Sequence, residues 1–305
     1  MKRYRRLRRA VRVAAIALVV GFSFYYLGRN ILQGLDDLQA TAMRINYFSL
    51  AISLLLTTGC TILGAWEWQW LLRGLGHDLG ARKGMRIHLL ANIAKYAPGY
   101  LWQILGKVYL SERQSVSRKR ALASVGVEFS LIILTGTLLA LMTLPSTGLL
   151  GSPLLPGLGP GIFLILVPLA AFPFALSLLR RVSSWSPIRE RFPIASELDY
   201  ASLVGVTVAI YLTWLVLGSG FVLLIDSVYP ISINDIPTYI FALAASFILG
   251  LLALFAPSGI GVRESTMVFL LGSCMPLSVA SVIAILARVV TIIADVASFI
   301  VGLRL

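Results

Sequence analysis

The chain has 305 residues, 58% of them hydrophobic and 13% charged, with a mean hydropathy of +0.88. A soluble domain averages about 45–50% apolar and about 25% charged residues, and a separate one needs at least about 50 residues, more than any polar stretch here supplies; a soluble fold is excluded. The net charge of +13 does not signal nucleic acid, because the basic residues gather in the first twelve positions and at the ends of apolar segments, with no binding module to present them.

The run Lys2 to Arg12 holds seven of the 26 Lys and Arg residues. It predicts a basic cytoplasmic N-terminus over 1–12, in contact with anionic lipid headgroups. The apolar stretch behind it has no small-residue cleavage site and ends in Gly28-Arg29-Asn30, as expected of an uncleaved signal anchor spanning 11–28. A second span is predicted over 46–72. Its end, Trp66-Glu67-Trp68-Gln69-Trp70, has three Trp that resemble an interfacial belt, with Glu67 reaching the interface in a structural role. Basic loops follow at 73–86 and 111–120. Between them, 87–110 is apolar but broken at Ala97-Pro98-Gly99. Further spans are predicted over 121–144, 162–179 and 200–225, with an uncharged Pro/Gly-rich loop at 145–161 and a basic loop at 180–191. Residues 237–275 are again apolar and broken, at Ala256-Pro257-Ser258-Gly259, before a last span over 277–303.

Charge and length together predict sidedness. With the N-terminus inside, the loops 73–86 and 111–120 both belong to the cytoplasm. The 24 residues of 87–110 are too few for two crossings, which take about 40, so this segment should enter, turn at Pro98-Gly99 and return. The flanks of 237–275 lack Lys and Arg and should lie outside. That segment is expected to dip from the opposite side and turn near Pro257-Ser258-Gly259, although its 39 residues also allow two full crossings. On this layout 22 Lys and Arg lie on the cytoplasmic side or its hairpin, two (Arg29 and Arg44) outside, and two (Arg263 and Arg288) within apolar sequence. The expected fold is an all-α polytopic membrane protein with six full transmembrane helices and two re-entrant hairpins, both termini in the cytoplasm. It forms a single transmembrane domain over 13–305. The halves 13–144 and 162–303 read as an inverted repeat, since Lys95-Tyr96-Ala97-Pro98-Gly99 echoes Leu254-Phe255-Ala256-Pro257-Ser258.

Broken helices at matching places in two halves point to a binding site. Irregular backbone at membrane depth survives only inside protein or along a wet cavity, and each break starts a half-helix whose N–H groups favour an anion. The charged residues fall in the same places. Lys95 precedes the first break and Lys107 follows it. Arg263 and Glu264 follow the second break. Arg288 lies mid-span with Asp295 seven residues on, along one helical face, and Glu128 lies two turns into its span. Such groups are costly in a bilayer, and the plain structural account is mutual pairing: Glu264 with Arg288, and Asp295 or Glu128 with Lys107. Arg263 is expected to hold a substrate phosphate through its guanidinium, with Lys95 opposite as a point charge. His88 reads as a satisfied buried histidine and His77 as a loop residue. Two His and the unclustered Cys60 and Cys274 offer no metal set, and no G-x-S-x-G, Walker or H-E-x-x-H motif occurs. Neither a cofactor nor an enzyme activity is expected.

The segment Lys95 to Gln103 with Gly106-Lys107 resembles a K-Y-x-P-G-x-x-W…G-R pattern. Ala256 to Glu264 resembles P-x-G-I-G-V-R-E. Together they resemble the lysylphosphatidylglycerol synthase transmembrane-region family, also described as flippase-like, over about 12–303. Lys107 stands where Arg is expected, keeping the charge but losing the fork. Ser258 stands where Gly is common. The resemblance assigns substrate-binding roles to Lys95, Tyr96, Pro98, Gly99, Trp102, Gln103, Lys107, Pro257, Gly259, Gly261, Arg263 and Glu264, supported by Glu128, Arg288 and Asp295. It implies the lipid-translocating half of bifunctional members rather than their aminoacyltransferase, the chain stopping at Leu305.

The function expected is movement of an anionic phospholipid or lipid-linked phosphate between the leaflets of the plasma membrane. Three rivals stand beside it. One is a transporter of a small soluble anion. Another is a non-transporting subunit docking a separately encoded glycosyltransferase or lipid synthase. The third is an intramembrane transferase built on Glu128, Glu264 or Asp295.

Overall fold

The computed structural model describes residues 21, 25, 28–33, 45–97, 101–144, 147, 199–253 and 256–305. Among these residues all regular structure is helical. Four long helices fall on predicted spans: α1 Tyr47–Gly74, α4 Arg118–Thr143, α5 Tyr200–Asp226 and α8 Leu277–Arg304. Three of them start where a polar side chain caps the free amides. Asn46 accepts from Phe48 N and Ser49 N, Ser117 from Arg120 N, and Asp199 from Ser202 N. The predicted spans 11–28 and 162–179 and the basic run 1–12 lie essentially outside the described residues.

The broken segments form two pairs of shorter helices. The first pair is α2 Ala81–Asn92, extended by a 3-10 turn Ile93–Tyr96, and α3 Leu101–Glu112. The second is α6 Ile236–Leu252 and α7 Val262–Leu271, with a 3-10 turn Pro257–Gly259 between them. At 12 residues each, α2 and α3 reach about 18 Å, and the 10 residues of α7 about 15 Å, against a hydrocarbon core of about 30 Å. The limb Ile233–Leu252 is long and apolar enough to cross, and with α1, α4, α5 and α8 makes five such helices among the described residues. Leu55, Leu212, Phe269 and Leu303 stand exposed on the outside, the surface expected where lipid is the solvent. The chain is a multi-pass membrane protein.

The two ends of the bundle differ. At one, Asp199 N bonds Gly74 O, and Arg82 Nε donates to the carbonyl of Leu305. The same end packs Leu72 of α1, Ile87 of α2, Val108 of α3, Val116 and Ala121 into one buried cluster. Both limbs of the first pair therefore start and finish at the end that carries the basic loops 73–86 and 111–120. At the other end, Asn46 N bonds Ser227 O, and Ser49 Oγ donates to Asp226. There Ile225, Val228, Tyr239, Leu271, Met275 and Val279 share a cluster, which gathers the start of α6 and the finish of α7. The two pairs enter from opposite ends, and their 3-10 turns touch in between.

Helix packing follows the same exchange. α1 packs on α5, α2 on α8 and α6 on α4; α1 meets α8 as α5 meets α4. Swapping the halves maps the α1–α5 contact onto itself and exchanges the others in pairs.

The Trp cluster corrects the belt expectation. Only Trp66 is exposed. Trp68 is fully buried, its indole N–H donating to Ser124 Oγ at 3.1 Å, and Trp70 covers Gly205. Successive side chains on a helix point about 100° apart, so three alternating Trp cannot all face one interface.

Candidate functional site

Helix α8 ties the two turns together. Its Arg288 and Asp295 are two turns apart on one face. Asp295 holds the first turn: Oδ1 accepts from Asn92 Nδ2 at 2.8 Å and Lys95 Nζ at 2.9 Å, and Oδ2 accepts from the Tyr96 hydroxyl. Gln103 Nε2 donates to Asn92 Oδ1 at 3.0 Å, which links α3 into the same network. Arg288 holds the second turn. Its Nη1 donates to Ser258 O at 3.2 Å, its Nε lies 3.5 Å from Glu264 Oε1, and its guanidinium stands 5.7 Å over the Tyr96 ring.

A third buried pair lies deeper toward the basic end. Lys107 Nζ donates to both oxygens of Glu128 at 2.7 and 2.8 Å and sits 5.4 Å over the Trp68 ring, with His88 Nδ1 3.5 Å from Glu128. Pairing thus takes the predicted form for Glu264 with Arg288 and for Glu128 with Lys107. Asp295 takes Lys95.

The second turn is built on positive-φ backbone. Ser258 has φ 50°, Gly259 +67° and Gly261 +90°. A Cβ on Gly259 would stand 2.7 Å from the Gly250 backbone, so only glycine lets the turn press against α6. Gly261 N donates to Glu264 Oε2 at 2.6 Å. This corrects one expectation: a protein carboxylate, not an open anion site, already meets the N-terminus of α7.

A cavity of about 230 Å³ beside the two turns is lined by residues of all eight helices. Lys95, Gln103, Arg263, Glu128 and Asp295 of the predicted set line it, with Ser258 of the second turn. Arg263 differs from the other cations around the turns. Its guanidinium lies 5.0 Å over the Phe247 ring, and among the described residues it makes no ion pair. Gly250 makes room for it, since a Cβ there would stand 3.1 Å from Arg263 Cβ. The other predicted residues serve elsewhere. Tyr96, Lys107 and Glu264 are bound in the networks above, Gly259 and Gly261 shape the turn, and Trp102 is 52% exposed away from the cavity. Pro98 and Gly99 lie outside the described residues.

Glu67 is a correction. Rather than reaching an interface it is buried, lines the cavity, and accepts from Thr213 Oγ1 at 2.6 Å. Asn92, Thr213 and Phe247 also belong to the site and were not foreseen. One legible signal existed on α1. Thr57, Cys60, Thr61, Gly64 and Glu67 all line the cavity and recur every three or four residues, a small and polar stripe on an otherwise apolar helix.

A family model described as the lysylphosphatidylglycerol synthase TM region matches residues 9–298. No curated protein matches the chain.

Proposed function

The chain belongs to the lysylphosphatidylglycerol synthase transmembrane-region family, and on that footing we propose that it moves an anionic phospholipid or a lipid-linked phosphate between leaflets. Arg263 carries this reading: a guanidinium that lines the shared cavity beside both turns and makes no ion pair among the described residues. A buried cation is expensive in a bilayer unless something neutralises it, and guanidinium grips phosphate through parallel hydrogen bonds. The cavity is smaller than the roughly 300–1,000 Å³ that encloses a whole drug-sized ligand, and suits a polar headgroup whose chains stay in the membrane. Lys95 borders the same space but is held by Asp295, so its part is to set the wall beside the phosphate.

The membrane arrangement belongs to the same proposal. The two short-helix pairs are re-entrant hairpins opening to opposite faces, within an inverted repeat of six full spans. The opposite entry of the pairs and the exchange symmetry of the packing support this. The basic end faces the cytoplasm of the plasma membrane, and both termini lie there. Rocking of one half against the other would open the cavity to each leaflet in turn. No reaction is read into the site, because Glu128, Glu264 and Asp295 are each engaged in an ion pair.

The test is leaflet exchange in liposomes carrying the purified protein and either fluorescent phosphatidylglycerol or a labelled lipid-linked sugar phosphate. Exchange should exceed that of protein-free vesicles, and Arg263→Gln should return it to the protein-free rate. Uptake of soluble phosphate without lipid exchange would move the assignment to a soluble anion. Unchanged exchange by Arg263→Gln would remove this residue from the site.

A further inference from the structure

Among the described residues, four buried carboxylates and four Lys or Arg residues, one buried and three half-buried, surround the cavity and the turns. Three pairs form: Lys95 with Asp295, Lys107 with Glu128, Arg288 with Glu264. Arg263 is left over among the cations and Glu67 among the carboxylates. Glu67 is 6% exposed, and the Thr213 hydroxyl on one oxygen is its hydrogen bond. No Lys, Arg or His pairs with it among the described residues. It is not a structural leftover at a helix end, because it lines the same cavity as Arg263.

We propose that Glu67 is a proton-binding site that couples substrate movement to protons. The proposal rests on Arg263 being the phosphate anchor. With the cavity empty and Glu67 ionised, the eight groups sum to zero charge. Entry of a phosphate diester at Arg263 adds one negative charge in a low-dielectric space, where net charge is costly. Uptake of one proton from cavity water by the Glu67 carboxylate, giving the neutral acid, restores the balance; release of the substrate returns it. Anion and proton then travel together. Glu67 is the group free to take that proton, since the other three carboxylates are held by fixed cations. The ionisable groups that share the cavity with it are Cys60 on its own helix, His88 and Lys95 of the first hairpin, Glu128 on α4, Arg263 on α7 and Asp295 on α8. From α5 it meets only the Thr213 hydroxyl among the cavity-lining groups. His88 lies against this stretch of α1: a Cβ on Gly64, one turn before Glu67, would stand 4.0 Å from His88 Nε2.

Two experiments test this. Dicyclohexylcarbodiimide modifies protonated carboxyls in apolar surroundings. Purified protein treated at neutral pH and mapped by peptide mass spectrometry should carry the adduct on Glu67 and not on Glu128, Glu264 or Asp295, and added phosphatidylglycerol should increase it. Absence of the Glu67 adduct under both conditions overturns the proposal. In proteoliposomes with an internal pH dye, lipid exchange should carry protons with it and quicken under a proton gradient directed with the lipid. Glu67→Gln should lose both the proton flux and the response to the gradient while still protecting against thermal unfolding by phosphatidylglycerol as the wild type does. Lipid exchange by the wild type without proton movement overturns the coupling and leaves the lipid reading standing. An adduct on Glu67 in a protein that exchanges no lipid overturns both, since the coupling requires a substrate at Arg263.

Discussion

In the first hairpin Lys95 and Lys107 are both neutralised, by Asp295 of α8 and Glu128 of α4, and Asn92 and Gln103 complete a polar network around them. In the second hairpin the chain turns on left-handed backbone pressed against Gly250, its one carboxylate is shared between Gly261 N and Arg288, and Arg263 makes no ion pair among the described residues. The first hairpin is pinned by two side-chain ion pairs, the second by one, Arg288 with Glu264, together with backbone fit. The difference teaches where function can sit. A cation already paired in the empty protein must break that pair to take a substrate, whereas an unpaired one beside a cavity is ready for it. On the proposed function the first hairpin forms the wall and the second presents the charge.

The comparison breaks most visibly at Lys107. Lys107→Met strands the Glu128 carboxylate among Trp68 and His88 and should cost about 3–5 kcal/mol, as loss of one partner of a buried pair does. Thermal unfolding in detergent checks it, and adding Glu128→Leu should recover most of the loss. If the single variant is as stable as the wild type, the first hairpin is not held by its ion pairs. In the second hairpin the comparable damage comes from a methyl group. Gly259→Ala forces a positive φ on a Cβ that would meet the Gly250 backbone, at a cost of about 2–4 kcal/mol. Stability measured beside Gly250→Ala, where the added methyl would press on the Arg263 side chain instead, separates backbone fit from side-chain fit. A smaller effect of opposite sign is expected at Ser258, the one non-glycine of the three positive-φ residues there. Ser258→Gly should stabilise by about 0.5–1 kcal/mol, left-handed strain being relieved and partly offset by chain entropy. Its Arg288 contact is to a main-chain carbonyl, so the substitution leaves it in place, and a stability unchanged or lowered would show that the turn is not strained. Arg263→Gln sits at the end of this series, with under about 1 kcal/mol expected on stability because no ion pair is broken.

Much of this arrangement was legible in consecutive residues. Apolar length marked α1, α4, α5 and α8, and the two interruptions marked both hairpins. Basic loops on each side of 87–110 put its two ends together, as the shared cluster of Leu72, Ile87, Val108 and Val116 bears out. The likeness of 95–107 and 256–264 to one family's motifs is matched by the family model over 9–298. The motif residues are of two kinds that spacing alone does not separate: Gly259 and Gly261 shape the backbone of the turn, whereas Arg263 lines the cavity.

By itself the sequence determined the solvent, the helical class, the places where helices break and which charges lie at membrane depth. Each of these follows from hydropathy, length and side-chain chemistry read along the chain. Only the tertiary structure decided which carboxylate each cation meets, since that depends on which helix faces which. Asp295 meets Lys95 because α8 packs on α2, and Glu128 meets Lys107 because α4 packs on α3. It also decided that Glu67 turns inward to the cavity and that Arg263 makes no ion pair among the described residues, because a surplus becomes visible only after the neighbours have been paired.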